Sequence, residues 1–581
     1  MAKGRVCALI VRVNLATSRQ RAHLITLSHW DGNAMQLLID PTTLVTDIGD
    51  DWVTPTKLRP LFQDDPSVVW LEIHGAAFGF YPTQSEYGLT KILEPKGRQF
   101  EAAWMAQVAP EAQQVCGHAG EGRMAERVQE TIQLMTQRAP VIGQPALWWP
   151  QEQLYGVPDV IALASWVQDR LPILADCVAV EHDHYVVLDL KFTSGLEKKT
   201  DDRLYYESQV RLYSYMLGHI QRLMPRYAFI VTRDRLFNPL VVTLASVIDS
   251  ALDHDLAERR ERYYRIARAG ESQRPWEHAD IAPNYGRSDE RWSAAKAAMM
   301  ARVPGGAVER MWYIGQEARR KLHAAGIMSL DMLLAADPSG LPKGVLKQPK
   351  AMLAILEANR EGRCLRAPEA APPAHRVELF VDCEFFSNIN VDFEREWPDL
   401  RGTPMIFMIG VGWMEAGIWH YQDFIATAET HSAELTMLNA FNQFVAEITN
   451  GDHIDCALYH WSHAERTQMQ AAADRHALAT DHTLRVLPWD DLEQRCRQHA
   501  CAVPGAWSYS LKSIGKALTA IDASYDPEWP LDLGDGSTAQ VMGWYAYQCP
   551  DPIESYEMRQ LRTYLAADCR ATYQVLRWLR G

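Results

Sequence analysis

With 581 residues, 47% of them apolar and 23% charged, the chain has an ordinary globular composition and enough length for about three or four hydrophobic cores. A formal charge of −15 excludes a globally basic, histone-like binder; it does not exclude nucleic acid, because metal-holding carboxylates lower the net charge and a local basic groove suffices for phosphates. No apolar run is long enough to cross a bilayer, Arg12 interrupts MAKGRVCALIVRV too early for a signal-peptide core, and the ten cysteines form no CxxC pair and no zinc-finger or iron–sulfur spacing, so a cytoplasmic protein with reduced thiols and no membrane partner is expected.

Residues 1–88 read as short strands, VCALIVRVNL, RAHLITLSHW, MQLLID and SVVWLEIHGAAFGF, between polar or Pro/Gly breaks, and predict a β-rich accessory unit, or an edge contribution to the next domain, without a chemical motif. From Leu89 the pattern turns helical: GRQFEAAWMAQV (Gly97–Val108) carries Glu101, and a second helix covers roughly Glu121–Thr136. The strand-like VIGQPALWWP precedes the hairpin-like LYGVPDVIAL (Leu154–Leu163), in which Pro158-Asp159 opens a β-rich run. HYVVLDLKF (His184–Phe192) alternates as a strand, so Asp189 and Lys191 share a face and Leu188 and Leu190 the other. A carboxylate beside a lysine on a strand suits metal-assisted hydrolysis: the acid holds a divalent cation, and cation and amine activate and orient a water. In the following helix, ESQVRLYSYM, Gln209 and Tyr213 are four apart and share a face; YAFIVT (Tyr227–Thr232) reads as a core strand and Leu252–Ala269 as a long charged helix.

The order Glu101, Gly156-x-Pro158-Asp159, Asp189-x-Lys191, Gln209-x-x-x-Tyr213 resembles the PD-(D/E)XK nucleases, in particular their RecB-like branch, over residues 89–285. The resemblance implies a restriction-endonuclease-like core, with Glu101, Asp159, Asp189 and the Leu190 carbonyl as ligands of Mg²⁺ or Mn²⁺. It also implies Lys191 as the residue that positions water and stabilises developing charge, with Gln209 and Tyr213 beside the site, touching DNA and steadying the lysine. Many such enzymes carry a cysteine quartet for an iron–sulfur cluster; here the next cysteine after Cys177 is Cys364, and no cluster is expected. Of the tyrosines Tyr205, Tyr206, Tyr213 and Tyr215, which offer rings for stacking unpaired bases, all but Tyr213 are expected to pack the helix against the sheet.

After a break at Glu271–Arg291, residues 300–366 contain MWYIGQEARRKLHAAGIMSLDMLLAADP, two short helices around Gly326-Ile327 with Gly315 ahead of the first. This resembles a helix-hairpin-helix, which implies backbone amides near Gly315 and Gly326 holding a nucleic-acid phosphate. Arg319, Arg320 and Lys321 are expected to add positive charge there; the alternative is a helical spacer.

The Pro/Ala-rich Arg366–Arg376 leads into VELFVDCEFF (Val377–Phe386), where Asp382 and Glu384 share a strand face. MIFMIGVGW (Met405–Trp413) and IWHYQDF (Ile418–Phe424) read as neighbouring strands, CALYHWSHAE as a strand leading into a helix at Glu465, and Arg562–Trp578 as a helix with Tyr564 and Asp568 four apart. Together with SLKSIGKAL (Ser510–Leu518), these motifs over residues 374–581 resemble the RNase H-like 3′–5′ exonucleases of the DEDDy type. That resemblance implies Asp382, Glu384, Glu465 and Asp568 around two metal ions about 4 Å apart, with Tyr564 orienting the water. The third acid departs from the family, which has Asp there; Asp490 and Asp491 are alternatives to Glu465, and His460 and His463 beside it offer transition-metal ligands.

The full order resembles predicted RecB-family nucleases in which a PD-(D/E)XK domain, a helix-hairpin-helix and an RNase H-like domain share one chain, an α/β multidomain architecture. It implies a DNA-processing enzyme of repair, recombination or defence, acting mainly on single strands or ends, with RNA as an alternative substrate. No GxxxxGK[ST] loop is present, so any ATP-driven unwinding is expected from a helicase in trans. Two other accounts stay open: a working C-terminal exonuclease whose N-terminal unit clamps DNA, and a binding scaffold with both sites decayed.

Overall fold

Two mixed sheets organise this α/β multidomain chain. The computed structural model describes Ile48 and residues 52–581, apart from 116–123, 172–173, 175–182, 194–200, 233–241, 247–249, 287–290, 388–404, 452–454, 481 and 531–535. The first sheet has the spatial order Gln113–Gln114, Val141–Gly143, Val160–Leu163, Tyr185–Lys191, Tyr227–Thr232, Val242–Ser246. The second to fourth of these strands run antiparallel to one another, and Tyr227–Thr232 is parallel to Tyr185–Lys191. A parallel neighbour needs a crossover, which helix Asp201–Gln221 supplies. Its last residue clasps the strand: Tyr185 N donates to Gln221 Oε1 and Gln221 Nε2 donates to Tyr185 O, both at 3.0 Å. Residues Tyr185–Leu190 are all buried, as expected of a strand covered on both faces.

The N-terminal expectation needs correction. VCALIVRVNL, RAHLITLSHW and MQLLID lie outside the described residues, but SVVWLEIHGAAFGF is no strand: Pro66–His74 is an α-helix, followed by a 3-10 turn Gly75–Phe78, and Pro55–Phe62 is another helix. Pro66 at the first helical position starts it, where a missing N–H costs nothing. Ser67–Leu71 are buried without interruption, so no polar stripe marks a helical period in the sequence. Of the two placements left open, the described part of the segment joins the next domain and is not a separate unit: Val53 bridges to Leu154, and Trp70 lies in the same core as Trp104, Trp148 and Phe229. Asp65 ties the segment on, with Lys296 Nζ at 2.5 Å and the Asn284 amide at 3.1 Å.

The middle of the chain is helical, with Gln316–Ala324, Leu330–Ala335 and Pro349–Glu361 as its main elements. Leu322, Leu333, Met352 and Ile355 share a hydrophobic core with Leu492, Tyr509, Leu518 and Val575 of the following unit, so this module is built onto the C-terminal unit.

The second sheet has the order Ile418–Ile425, Met405–Glu415, Val377–Phe386, Cys456–His460, Trp489–Asp491. Its first three strands form an antiparallel meander, and the last two run parallel to Val377–Phe386. Helices His431–Thr449, Ala464–Arg475 and Tyr556–Arg580 pack on it. Helix His431–Thr449 is anchored by the fully buried Glu434, which accepts from Arg475 Nη2 at 2.6 Å, Arg475 Nε at 2.9 Å and the Ile406 amide at 2.7 Å, with His476 Nε2 at 2.8 Å. Glu434→Ala would strand the buried guanidinium, and is expected to lower stability by about 3–5 kcal/mol, read as a fall in the urea midpoint. A midpoint equal to wild type would show the network to be dispensable.

The described cysteines, Cys364, Cys383, Cys456, Cys496, Cys501, Cys549 and Cys569, are free thiols. Among the described residues, no helix is long and apolar enough to cross a membrane.

Candidate functional site

Two groups of acids converge, one per sheet. In the first, helix Thr90–Val108 brings Glu101, the turn before Val160–Leu163 brings Asp159, and the end of Tyr185–Lys191 brings Asp189, Leu190 and Lys191. The register sets Val160 opposite Leu188, which leaves Asp159 beside the next residues of that strand. Leu190 N accordingly donates to Asp159 Oδ2 at 2.6 Å. Lys191 Nζ lies 2.6 Å from Asp189 Oδ2 and 3.8 Å from Asp159 Oδ2, a counter-charge shared by both acids. Gln144, with φ of 51°, closes the fourth side: its amide N donates to the Asp159 carbonyl at 2.8 Å and its Nε2 to Glu101 Oε1 at 2.5 Å. Gln144 carries no motif, and the sequence offers only its place in a Gly-Gln-Pro turn.

Charge in this group is strained by burial. Asp189 is 1% exposed, and burial, reinforced by Asp159 and offset by Lys191, raises its pKa to about 7. Burial and Asp159 also raise Glu101, against the pull of Gln144 and Lys191. For Lys191 burial favours the neutral amine, but the adjacent Asp189 and Asp159 outweigh it and hold the ammonium above its ordinary range. Lys191 is thus a bearer of charge more than a proton acceptor.

Gln209 and Tyr213, on the expected helix, are buried, and Gln209 Nε2 donates to the Tyr213 hydroxyl at 3.1 Å. Gly156 makes room for that tyrosine, since a Cβ there would come within 2.6 Å of Tyr213 Cε1. Both residues brace the lysine's surroundings from inside the core; touching DNA would need a surface that they do not present here. Tyr205 is likewise buried, and Tyr206 and Tyr215 pack partly against the core.

The second group combines Asp382 and Glu384 from one face of Val377–Phe386, Glu465 from the first turn of Ala464–Arg475, and Asp568 with Tyr564 from Tyr556–Arg580. Asp382 and Glu465 are close enough to influence each other's charge, and burial favours the protonated form of both. This resolves the third acid: Glu465 is in the cluster, steadied by His460 Nδ1 at 3.2 Å from its Oε2. Asp490 instead forms a two-point ion pair with Arg495 at 2.6 and 2.7 Å, and Asp491 caps helix Leu492–Gln498 through the Gln494 amide at 2.9 Å. His463 is exposed and does not join His460 in a metal-binding group.

Burial pushes all four carboxyls above the ordinary range, Glu465 to about 8. For Asp382 and Glu384 the neighbouring acids push the same way, whereas Trp529, Tyr564 and Lys512 pull Asp568 back. Trp529 Nε1 donates to Asp568 Oδ1 at 2.6 Å, and Lys512 Nζ lies 4.9 Å from the centre of the Tyr564 ring. Trp529 fits only because residue 515 is glycine, where a Cβ would fall 2.4 Å from the indole. Sequence patterns missed Trp529 and Lys512, although the helix carrying Lys512 was expected.

Both groups suit a hard divalent cation by donor chemistry: they offer carboxylate oxygens, and burial drives Glu101, Asp189 and the four acids of the second group toward protonation, the situation a cation relieves. The donor oxygens of neither group gather as tightly as His254, Asp255 and Glu258, whose ligand atoms all lie within 4.8 Å of one another on helix Ser250–Ala269. That trio follows from helical spacing on a largely exposed face.

In the helical module Gly326 has φ of 81°, the left-handed turn for which glycine is favoured, and neither Gly315 nor Gly326 has atoms within 4 Å of a Cβ position. The expected surplus of charge is absent. Arg319 is buried against Glu309 at 2.6 Å, Arg320 pairs with Asp64, and Lys321 pairs with Glu317 at 2.7 Å. Arg319 and Arg320 join segments of the chain, and Lys321 pairs within its own helix.

Comparison of the chain with protein-family models, with curated proteins and with solved structures finds no match.

Proposed function

We propose that the chain is a divalent-cation-dependent nuclease that hydrolyses DNA phosphodiesters, with single strands or ends as substrate. The observation that carries this is the convergence of Glu101, Asp159, Asp189 and Lys191 from three chain-distant segments, with Lys191 2.6 Å from Asp189 and the Leu190 amide 2.6 Å from Asp159. The mixed sheet with its antiparallel meander, helical crossover and parallel neighbour supports a PD-(D/E)XK-like core. Mg²⁺ or Mn²⁺ held by Glu101, Asp159, Asp189 and the Leu190 carbonyl would supply Lewis acidity and a more acidic water. The chain's own contribution is the Lys191 ammonium, fixed by Asp189 and suited to charge that develops on phosphate oxygens. Asp159 is held by the Leu190 amide and Glu101 by Gln144, so both acids enter the reaction already oriented.

A second reading is favoured by the convergence of Asp382, Glu384, Glu465 and Asp568 from one strand and two helices, with Tyr564 beside them. The spatial order of the second sheet, an antiparallel meander extended by two parallel strands, supports an RNase H-like unit that acts as a 3′–5′ exonuclease. Unwinding by a helicase in trans, and RNA as substrate, belong to the same proposal as alternatives.

The test is cleavage of labelled single- and double-stranded DNA and RNA by the full chain in EDTA, Mg²⁺ and Mn²⁺. Cleavage of DNA is expected with either cation and none in EDTA. Because Glu101, Asp189 and Glu465 carry raised pKa values, protons compete with the cation, so Mn²⁺ affinity measured by calorimetry is expected to rise from pH 6 to pH 8 with release of protons. Binding of DNA without cleavage under every cation would support the scaffold instead.

A further inference from the structure

Away from both groups of acids, helix Leu492–Gln498 ends in a turn that brings two thiols together. His499 caps the helix and Ala500 takes the left-handed conformation, with φ of 57°. Two bonds close the turn: Ala500 N donates to Arg497 O at 3.4 Å and Cys501 N to Cys496 O at 2.9 Å. This is the Schellman pattern, in which the side chain just past the turn meets one from the last helical turn. Here both are cysteines. Each bonded atom lies within two covalent bonds of its own Cα, so the bond between Cys501 N and Cys496 O holds the two Cα atoms to no more than about 6.8 Å, within the span of about 4.4–6.8 Å that a disulfide bridges. Both residues are buried. The Cys496 thiol lowers Cys501 to about 7, helped by the Ala367 amide and Arg366 against burial, and the same contact, with burial, raises Cys496. A readily ionised thiol therefore lies beside one that keeps its proton. The turn sits on the seam between the helical module and the C-terminal unit: Leu365 and Ala502 exchange backbone bonds at 2.8 Å, Lys350 Nζ donates to Gln498 O, and Gly505 N donates to Asn359 Oδ1 at 2.8 Å. An open cleft of about 630 Å³ runs past it, lined by Leu365, Arg366, Ala367, His499 and Ala500, which flank Cys501 along the chain and across the bridge.

We propose that Cys496 and Cys501 are a redox modification site, at which a peroxide closes a reversible disulfide that stiffens the seam between the helical module and the C-terminal unit. The Cys501 thiolate attacks one peroxide oxygen; the O–O bond breaks, and the departing hydroxide takes up the proton that Cys501 gave off, leaving a sulfenic acid and one water. The Cys496 sulfur then attacks the sulfenic sulfur; the S–O bond breaks, and the second hydroxide leaves with the Cys496 proton as a second water. Two thiols lose two electrons and the peroxide gains them, and a dithiol reductant reverses the change. Burial behind the cleft wall selects a small, uncharged oxidant over bulky ones. The disulfide ties the helix end to the segment that pairs with Leu365, so the turn whose Gln498 carbonyl receives Lys350 loses its freedom to unravel. The site is independent of either hydrolytic reading.

The experiment treats the full chain with excess hydrogen peroxide, removes the peroxide with catalase, alkylates the remaining thiols in denaturant and digests with trypsin in the absence of reductant. Trypsin cuts after Arg497, between the two cysteines, so the disulfide is read by mass as the peptide Gln498–Lys512 carrying Cys496-Arg497, which dithiothreitol releases. The expected result is this linkage in most molecules. Cys496→Ala leaves Cys501 without a resolving thiol and is expected to show added oxygen on Cys501 and no linkage; if that variant melts early, the wild-type linkage decides the matter alone. Oxidised wild type is expected to melt about 2–4 °C above its dithiothreitol-treated counterpart, a rise that Cys496→Ala does not show. Both thiols fully alkylated after peroxide, or Cys501 linked to Cys364 or another cysteine, would overturn the site. Linkage between Cys496 and Cys501 with unchanged melting would overturn the stiffening of the seam.

Discussion

Lys191→Ala is expected to reduce cleavage by the first site about 10²–10⁴-fold while leaving Mn²⁺ binding intact. The two effects separate because the lysine and the carboxylates do different things. Glu101, Asp159 and Asp189 retain their oxygens in the variant, and the loss of an ammonium 2.6 Å from Asp189 and 3.8 Å from Asp159 removes a competing positive charge. Mn²⁺ affinity is therefore expected to equal or exceed that of wild type. What disappears is the fixed charge suited to the phosphate in the transition state. Without metal the variant is expected to melt at a lower temperature than wild type near pH 8, since the buried Asp189 then faces Asp159 without its counter-charge, and added Mn²⁺ should restore much of the difference. The measurement is single-turnover cleavage in an Asp382→Asn background, which silences the second group, alongside calorimetric Mn²⁺ titration. Unchanged cleavage in that background would remove Lys191 from the chemistry.

Asp382→Asn is expected to abolish cleavage by the second site and, in the absence of divalent cation, to raise the melting temperature. The second half follows from linkage. Asp382 has a folded pKa well above the ordinary carboxylate value, so the folded state binds more protons than the unfolded one between those values, and stability falls as pH rises through that interval. Asparagine carries no charge to bury. The stabilisation is accordingly expected at pH 7–8 and to shrink toward zero as the pH falls below about 3, where the aspartate is protonated in both states. Mn²⁺, which relieves repulsion among the wild-type acids, is expected to raise the wild-type melting temperature more than that of Asp382→Asn. Thermal melts at the two pH values, with and without Mn²⁺, check this; a variant less stable than wild type at pH 8 without metal would show that Asp382 is a structural carboxylate. Acids retained at a cost in stability are a usual mark of a functional site.

The helical module illustrates where local patterns mislead. Consecutive Arg319, Arg320 and Lys321 look like a basic patch, yet each has an acidic partner in the fold, and two of those partners, Glu309 and Asp64, lie outside the helix that carries the cations. Charge available to a ligand is a property of the folded surface, because a partner distant in sequence neutralises a cation as well as a near one.

Asp189 and Lys191, Asp382 and Glu384, Gln209 and Tyr213, and Tyr564 and Asp568 were legible as pairs, because strands and helices have fixed periods and residues two or four apart share a face. The principal strands of both sheets and the helices that carry the acids were legible for the same reason. The helix Pro66–His74 was not, since burial on all sides leaves no polar stripe to reveal its period. Nor was the choice of Glu465 over Asp490 and Asp491, which depends on Arg495 and a helix cap claiming the two aspartates. Gln144, Trp529 and Lys512 became visible only in three dimensions. Periodicity thus determined which acids face the same way within an element, while tertiary structure decided which groups meet between elements, because hydrogen bonds and ion pairs depend on distance in space and not on separation along the chain.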